Sequence, residues 1–278
     1  MSRDKDLFAL TGEVIVITGG AGFLGLMHAE AILSAGGIPV LLDINQPALD
    51  ATLKDLQSKW SDRAILGMKV DITNEREVEN ACATITERFE RIDALINNAA
   101  NNPSVSANGT LSSSTNFERL SLVDWRNDLE VGLTGAFLCA QKFGALMAKR
   151  GKGVIVNISS DLGIISPDQR LYRRPELADD AQPNKSVTYS VVKSGIIGLT
   201  RYLATYWATR NVRVNTLSLG GVMNDQAETF LQRVHELIPL GRLANRDEYK
   251  GCIVFLCSRA SSYMTGANLV VDGGRTIW

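Results

Sequence analysis

The alternation of two kinds of apolar segment restricts the folds open to this chain more than any other feature. Seven short runs rich in Val and Ile alternate with longer segments whose apolar residues recur at helical spacing. Strands that alternate with helices predict a doubly wound parallel sheet, an α/β fold with helices on both faces. The predicted strands cover 14–18, 39–43, 65–70, 94–97, 153–159, 212–217 and 268–271. The predicted helices lie near 24–35, 47–59, 75–89, 122–149, 187–209 and 246–258.

Length and composition are those of an ordinary globular chain. It has 278 residues, 45% of them apolar and 21% charged, which suits one domain spanning 1–278. The net charge of -1 provides no strong attraction for nucleic acid or a membrane surface. The N-terminus is polar, and no apolar run approaches the roughly 20 residues that a spanning helix needs. We therefore expect a cytoplasmic protein with no nucleic-acid or membrane partner.

Metal and disulfide chemistry find little support in the sequence. The four cysteines are Cys82, Cys139, Cys252 and Cys257. They lie in apolar surroundings without the paired spacing of zinc ligands, which indicates reduced core thiols. His28 and His235 are the only histidines, so we expect no metal site.

A glycine-rich turn joins the first predicted strand to the first helix. It reads Thr-Gly-Gly-Ala-Gly-Phe-Leu-Gly. Gly19 permits a tight turn, Gly22 lets the backbone approach a pyrophosphate, and Gly25 lets the helix pack closely on the sheet. The helix that begins at Phe23 and Leu24 offers N–H groups and a positive dipole end. The turn predicts a dinucleotide site, although glycines in this pattern also occur in purely structural turns.

Acidic residues end the second and third predicted strands. Asp43 lies about 20 residues beyond the glycines, where a carboxylate hydrogen-bonds the adenosine ribose and repels a 2′-phosphate. This favours NAD over NADP, with a helix N-cap as the alternative role for Asp43. Asp71, beside Ile72, is placed to bond the adenine amino group or else to cap the next helix. Asn98 and Ala99 end the fourth strand, where small side chains leave room for the cofactor ribose.

Tyr189 and Lys193 lie one helical turn apart and can act together on a proton. A phenol has a pKa near about 10, and a lysine ammonium on the same helix face stabilises the phenolate and lowers that pKa. Ser160, upstream in the chain, can hydrogen-bond a substrate oxygen. The spacing Tyr-x-x-x-Lys occurs by chance in many helices, so its weight depends on its place in the chain. After a dinucleotide turn, it indicates hydride transfer between a nicotinamide and a carbonyl or alcohol.

In their order, these motifs resemble the short-chain dehydrogenase/reductase superfamily over essentially the whole chain. The matching segments are 18–25, Asp71, 97–100, 156–160, Tyr189 with Lys193, 213–215 and 271–274. The resemblance implies a single-domain Rossmann fold with a seven-stranded sheet. It also implies that Tyr189 is the catalytic acid/base, that Ser160 rather than Ser159 orients the substrate carbonyl, and that Lys193 holds the nicotinamide ribose and lowers the pKa of the tyrosine.

The resemblance extends to the nicotinamide end and to assembly. Gly220, Val222 and Asn224 follow the sixth strand, at positions that approach the nicotinamide in this family. The length and the last motifs are those of the standard branch, which typically forms tetramers. The helices that contain Phe137 and Tyr202 carry apolar residues on several faces and would pair between subunits. A homotetramer is therefore expected, with a dimer as the second possibility.

Three departures from the family pattern leave alternatives open. The glycines have the spacing of the extended branch, which acts on nucleotide sugars. Gly132 stands where the family has an asparagine that helps to bind a water in the proton relay, and Leu219 replaces a proline. The alternatives are thus a sugar-nucleotide epimerase or dehydratase, and a nucleotide-binding regulatory protein with little turnover. We favour an NAD-dependent oxidoreductase that interconverts a secondary alcohol and a ketone.

Three segments are expected to enclose the substrate: 101–118, 161–187 and 222–240. The last has apolar residues at helical spacing, which predicts an amphipathic lid or else a surface helix packed on its own domain. These residues are Phe230, Leu231, Val234 and Leu237. The polar character of 161–187 indicates a sugar or a sugar derivative as substrate. It would be anionic if Arg170, Arg173 and Arg174 faced inward, although a charge cluster is more often solvated.

Overall fold

The computed structural model describes residues 6–101 and 116–278. Its strands are β1 (Val14–Thr18), β2 (Ile38–Asp43), β3 (Leu66–Lys69), β4 (Ala94–Asn97), β5 (Gly153–Ser160), β6 (Val212–Leu219) and β7 (Asn268–Val271). Its α-helices are α1 (Phe23–Ser34), α2 (Gln46–Lys59), α3 (Glu75–Phe89), α4 (Leu122–Leu129), α5 (Gly135–Arg150), α6 (Val187–Tyr206), α7 (Glu228–His235) and α8 (Lys250–Cys257). Across the described residues the seven strands form one parallel sheet, in the order β3-β2-β1-β4-β5-β6-β7. This confirms the predicted doubly wound fold.

The strand order creates a crevice at the carboxyl edge of the sheet. β1 pairs with β2 on one side and with β4 on the other, so successive crossovers leave this point in opposite directions. Ligands of open α/β sheets bind outside the carboxyl ends of the strands at such a reversal. The glycine turn follows β1 and Asn98 follows β4, which brings both to the crevice.

Two apolar layers cover the two faces of the sheet. On one face Val16 packs in a cluster with Phe143 of α5. On the other face Ile17 packs in a cluster with Ile32 of α1 and Ile253 of α8. Because successive strand residues point to opposite faces, adjacent apolar residues of β1 serve different layers. The Val- and Ile-rich strands therefore satisfy burial from both sides.

The predicted helix 122–149 is interrupted. α4 ends at Leu129, a π-helical turn spans Glu130–Thr134, and α5 follows directly. Gly132 lies in this turn against α6, and a Cβ atom added there would come within 2.3 Å of Val192 Cγ1. The wider turn thus brings the backbone closer to α6 than a residue with a side chain would allow.

One helical run among the described residues, Leu122–Arg150, is long and apolar enough by length and composition to cross a membrane. The sequence analysis did not anticipate this. More than half of an 18-residue apolar stretch within this run is buried inside the protein, and Phe143 and Met147 are fully enclosed in the core. The apolar residues of this run therefore pack against the sheet inside the protein.

β5 and β6 are both longer than predicted. β5 continues to Ser160 and β6 to Leu219, and these two residues pair with each other. Leu219 also pairs with Val271 of β7. A proline at 219 would have no N–H to give to the sheet, whereas leucine does. The residue that departs from the family pattern thus extends the strand.

Two predicted helices are shorter than expected. The helix predicted at 187–209 ends at Tyr206 and gives way to a 3₁₀ turn at Ala208–Arg210. The helix predicted at 246–258 begins at Lys250. Before it, the Glu248 carboxylate accepts bonds from the Arg242 guanidinium and the Asn245 N–H, which holds the chain in a turn.

Candidate active site

Ser160, Tyr189 and Lys193 meet where β5 ends against α6. The Lys193 ammonium donates to the Ile158 carbonyl at 3.0 Å, and the Ser159 hydroxyl donates to the Lys193 carbonyl at 2.7 Å. These bonds fix the helix on the strand. Ser159 is thereby occupied in structure, whereas the Ser160 hydroxyl donates to the Asp161 carboxylate at 2.6 Å.

The surroundings of Tyr189 differ from the sequence expectation. Burial raises the pKa of the phenol, the nearby Ser160 hydroxyl lowers it, and the Asp161 carboxylate raises it further. The Lys193 ammonium stands 5.6 Å from the centre of the tyrosine ring. The pKa of Tyr189 is therefore raised where a lowered value was expected, and burial is the largest cause.

The sequence analysis missed two charged groups at this site, Lys185 and Asp161. The Lys185 ammonium lies 3.8 Å from the centre of the Tyr189 ring, and burial lowers its pKa to about 8. Burial, with Lys185 as a second cause, also lowers the pKa of Lys193 to about 8. Asp161 is buried, which raises its pKa. Lys185 lies four residues before Tyr189 in the chain but outside α6, so no helical spacing marked it in the sequence.

The glycine turn has the shape of a dinucleotide cradle. Gly19 has a φ of +61°, the left-handed region that favours glycine. A Cβ atom on Gly25 would come within 2.2 Å of the Gly19 carbonyl oxygen. Gly22 is the N-cap of α1 and forms no side-chain cap, and the first turn, with Phe23 and Leu24, has no acidic residue. The N-terminal amides thus face the crevice without an acidic side chain among them, as pyrophosphate binding requires.

Asp43 stands beside this turn and does not cap α2. Its carboxylate accepts the Ala21 N–H at 2.9 Å and the Asn45 N–H at 3.0 Å. The helix cap is Asn45, whose side-chain oxygen accepts the Ala48 N–H. Asp43 therefore joins β2 to the glycine turn and keeps a negative charge there.

Asp71 and Ile72 lie farther along the crevice. One Asp71 oxygen accepts both the N–H and the hydroxyl of Thr73, and Asn74 is the cap of α3. The Ile72 side chain packs in the core against Gly135, where a Cβ atom would come within 2.6 Å of it.

Asn98 and Ala99 brace the glycine turn from the other side of the crevice. The Asn98 side-chain amide donates to the Thr18 and Gly19 carbonyls at 3.0 and 3.2 Å. The Thr18 hydroxyl accepts the N–H groups of Asn98 and Ala99. Strands β1 and β4 are thus tied together where a cofactor ribose would lie.

A small cavity lies behind Tyr189, beside Gly132. Its volume is about 10 Å³, and its lining includes Asp128, Thr188 and Lys193. A space of this size with polar walls accommodates one water molecule. Gly132 is part of its lining.

The residues after β6 fold back over the site. The Gly220 carbonyl accepts the Tyr249 hydroxyl at 3.1 Å, and Val222 forms a bridge with Ala244. The Asn224 N–H donates to the Gln226 side chain, so the backbone here is locally fixed.

The segment predicted as a lid packs on the insertion. α7 contributes Phe230 and Val234 to a third apolar cluster that includes Leu171 and Tyr172. The rings of Tyr172 and Phe230 are 5.7 Å apart. The lid and the insertion are therefore in contact. Of the predicted loop 101–118, residues 102–115 lie outside the described residues.

The arginines of the insertion form ion pairs at the surface. The Arg170 guanidinium pairs with Asp168 at 2.7 Å, and Arg173 pairs with Asp179 at 2.6 Å. Both guanidinium groups are mostly exposed. Arg170 and Arg173 are therefore solvated at the surface and do not face inward toward a substrate.

The cysteines have little thiolate character. Burial raises the pKa of Cys82 to about 11 and those of Cys139 and Cys257 to about 12. Cys252 and Cys257 are only half-buried, so the expectation that all four lie in the core was too broad.

Known proteins resemble this chain over nearly its whole length. Residues 13–172 match the family model for short chain dehydrogenase, and residues 177–276 match that for enoyl-(acyl carrier protein) reductase. The NAD-dependent glycerol dehydrogenase of Listeria innocua is 32% identical, covering 99% of this chain and 97% of its own. The D-threitol dehydrogenase of Mycolicibacterium smegmatis is 32% identical, covering 100% and 97%. An NADP-dependent mannitol dehydrogenase of Hypocrea jecorina is 30% identical, covering 99% and 96%.

Solved structures share the fold. A short chain dehydrogenase from Leptospira borgpetersenii with bound NAD+ has a TM-score of 0.83 and 31% identity, covering 99% of this chain and 97% of that one. The chain belongs to the short-chain dehydrogenase/reductase family. It is an oxidoreductase that acts on CH–OH groups with a nicotinamide nucleotide. This confirms the predicted family, fold and enzyme class.

Proposed function

We propose that this protein is an NAD-dependent dehydrogenase that interconverts a polar secondary alcohol and its ketone. The observation that carries the proposal is the meeting of Ser160, Tyr189 and Lys193 at the carboxyl edge of the sheet that also holds the glycine turn. The cradle at Gly19 and the anion at Asp43 fit a dinucleotide. One domain would thus hold both cofactor and substrate.

A bound nicotinamide supplies the site that accepts or gives the hydride. In alcohol oxidation the Tyr189 oxygen takes the hydroxyl proton, and in ketone reduction it returns it. The Ser160 hydroxyl holds the substrate oxygen next to Tyr189. The Lys193 ammonium holds the nicotinamide ribose and favours the tyrosinate. A water in the cavity beside Gly132 would pass the proton from Lys193 toward Asp128.

The choice of NAD rests on Asp43. Its carboxylate lies against the glycine turn through the Ala21 N–H, where the adenosine ribose would bind, and it would repel a 2′-phosphate. Relatives with either cofactor preference exist, so the preference needs its own test.

We expect Asp43→Ser to raise the KM for NAD by about 10-fold or more, because a charge-assisted hydrogen bond is lost. The ratio of kcat/KM for NADP to that for NAD should rise. Asp62→Ser is the matched control, since Asp62 is 83% exposed beyond the end of α2. If the ratio of kcat/KM for NADP to that for NAD were the same in Asp43→Ser, in Asp62→Ser and in the unchanged protein, Asp43 would not be the source of the NAD preference.

The substrate is proposed to be a polyol or sugar derivative. A cleft of about 510 Å³ lies beside the catalytic residues, and its lining includes Gln169, Asn184 and Lys185 of the insertion and Glu118 from outside it. The related glycerol and D-threitol dehydrogenases act on substrates of this class by their names. The test is nicotinamide absorbance with a panel of polyols and sugar acids.

A homotetramer in the cytoplasm is proposed for the assembled enzyme. Phe137 of α5 is 46% exposed, and Tyr202 and Tyr206 of α6 are 63% and 62% exposed. Aromatic residues at this exposure on neighbouring helices support burial between subunits. Light scattering of the purified protein decides between a tetramer and a dimer.

The epimerase or dehydratase alternative has less support. Among the described residues, the chain after Gly220 forms α7, α8 and β7, and β7 joins the same sheet. A nucleotide sugar would need more enclosing structure than this segment provides. The unusual glycine spacing is therefore treated as a local variation.

A further inference from the structure

Arg275 lies on a rigid turn at the carboxyl edge of the sheet. β7 ends at Val271, and the Asp272 carboxylate accepts the N–H groups of Gly274 and Thr276 at 2.9 and 2.8 Å. The turn also packs against the end of β6, since a Cβ atom on Gly220 would come within 2.7 Å of Asp272 Cα. Arg275 is thus held next to the segment assigned to the nicotinamide.

The Arg275 side chain is buried and has no partner among the described residues. Only 8% of the residue is exposed, and its guanidinium forms no hydrogen bond or ion pair with any described group. Residues 102–115, which lie outside the described part of the chain, contain no Asp or Glu. The guanidinium nitrogens are not fully enclosed, although most of the residue is buried.

Arg213 shows what a structural arginine looks like in this protein. Its guanidinium donates five hydrogen bonds, to the Ser261 hydroxyl and to the carbonyls of Ser261, Met264, Leu256 and Ser258. Arg275 has no such set. A guanidinium that is largely withdrawn from water without a partner is energetically unfavourable. A bound anion would supply the missing hydrogen-bond acceptors.

The neighbours of Arg275 belong to the substrate side of the site. It is close enough to influence the pKa of Asp161, Asp168 and Tyr172. Among the described residues, neither acid forms a hydrogen bond or ion pair with Arg275, although the second oxygen of Asp161 has no other partner there. Asp161 accepts the Ser160 hydroxyl and the Leu162 N–H, and Asp168 is paired with Arg170.

We propose that Arg275 binds a carboxylate of the substrate, which makes the substrate a sugar acid or another polyhydroxy acid rather than a neutral polyol. This rests on the proposed dehydrogenase function and names its substrate class. A single planar guanidinium fork matches the two oxygens of one carboxylate. Lys185, beside Tyr189, adds positive charge to the same region. The sequence expected an anionic substrate only if the arginines of the insertion faced inward, and here the cation comes from the C-terminal turn.

The test uses matched pairs, each a polyol and the acid with the same carbon number, such as glycerol with glycerate and galactitol with galactonate. We expect the unchanged enzyme to prefer the acid. Arg275→Gln should raise the KM for the acid by about 10- to 100-fold and leave the polyol nearly unaffected, because one charge-assisted contact is lost. Arg275→Lys should lose less, since it keeps the charge without the fork.

Two controls separate a site effect from a folding effect. Arg63→Gln removes an arginine beyond the end of α2 whose side chain is 45% exposed, and it should change neither KM. NADH binding, followed by fluorescence, should be the same in the unchanged protein and in Arg275→Gln. Loss of acid and polyol turnover to the same extent, with NADH binding intact, would overturn the proposal.

Calorimetric titration of the protein–NADH complex with the acids keeps the two proposals distinguishable. Acid binding that is lost in Arg275→Gln, without turnover of any compound, would support the anion site and reject the dehydrogenase function. Turnover of polyols without acid binding would reject the anion site and keep the function. Preference for a sugar phosphate over the acid would overturn the carboxylate assignment. Neither binding nor turnover would overturn both.

Discussion

At the scale of the residue, Tyr189 is surrounded by opposing charges. Burial and the Asp161 carboxylate raise the pKa of the phenol, while Ser160 lowers it. Lys185 and Lys193 both lie near the ring, and each has its own pKa lowered to about 8. The base for alcohol oxidation is thus disfavoured by its surroundings and depends on the cations beside it.

Asp161→Asn should shift the pH profile of alcohol oxidation. The carboxylate raises the pKa of Tyr189, so its removal lowers that pKa. Since oxidation requires the phenolate, kcat/KM rises with pH through this pKa, and the rising limb should move to lower pH. Asn keeps an oxygen that can accept from the Ser160 hydroxyl.

Asp179→Asn is the control, because Asp179 belongs to the same insertion and its side chain is 86% exposed. Its pH profile should coincide with that of the unchanged enzyme. A rising limb that stays in place, or moves to higher pH, in Asp161→Asn would show that Asp161 does not act on Tyr189.

Residues predicted from local pattern and residues found only in three dimensions differ in kind. Tyr189 and Lys193 could be found because their spacing is a local motif, and Ser160 because it follows the fifth predicted strand in a family motif, although their roles remain predictions. Lys185 and Arg275 have no motif spacing to Tyr189. An arginine directly after an Asp-Gly-Gly turn at the carboxyl edge was the available signal, but its burial depends on how the turn packs.

At the scale of the element, the π-helical turn between α4 and α5 explains a glycine that the family pattern does not. Gly132 faces Val192 of α6, and a Cβ atom there would come within 2.3 Å of a branched side chain that cannot easily move. Helical periodicity alone cannot reveal such a turn, because α4 and α5 keep helical spacing on either side of it. The sequence therefore predicted a single helix.

Gly132→Asn, which introduces the residue that the family has at this position, should destabilise the protein by roughly 1–3 kcal/mol through overpacking. Val192→Ala combined with it should recover part of this loss, giving a favourable coupling in a double-mutant cycle. Denaturant unfolding of the unchanged protein, the two single variants and the double variant measures both the destabilisation and the coupling free energy.

Gly251→Asn is the control, because Gly251 lies in α8 and nothing stands within 4 Å of a Cβ added there. It should be neutral or mildly stabilising, since glycine is a poor helix former. If Gly132→Asn were equally well tolerated, close packing would not be the reason for glycine at that position.

At the scale of the whole molecule, the two-layer core encloses a histidine. His28 of α1 is fully buried, and burial lowers its pKa from 6.5 to about 4. The doubly wound sheet could be predicted from alternation, but which face of α1 would turn His28 inward could not, because α1 is apolar around most of its circumference.

His28 should make the fold sensitive to mild acid. Because its pKa is lower in the folded protein, the unfolded chain binds more protons between about pH 6.5 and 4, and stability falls as pH falls through that window. The loss is about 1.4 kcal/mol per pH unit at most, or about 3 kcal/mol in all. Denaturant unfolding at several pH values measures it.

His28→Leu should flatten this dependence, and His235→Leu on α7 is the matched control. Glu248, with its pKa lowered to about 2, contributes its own acid loss below about pH 4.5, outside most of the window. An unchanged slope in His28→Leu would mean that another group causes the acid sensitivity.

The most direct test of the central claim is the comparison of Tyr189→Phe with the unchanged protein in NADH binding and in turnover of polyols and sugar acids. NADH binding is followed by tryptophan quenching and energy transfer. We predict equal NADH affinity and a loss of turnover by about 100- to 10,000-fold in Tyr189→Phe, because only the acid/base is removed. NADH binding without turnover in the unchanged protein would favour the regulatory alternative. Full turnover by Tyr189→Phe, or no binding of NADH, would contradict the account.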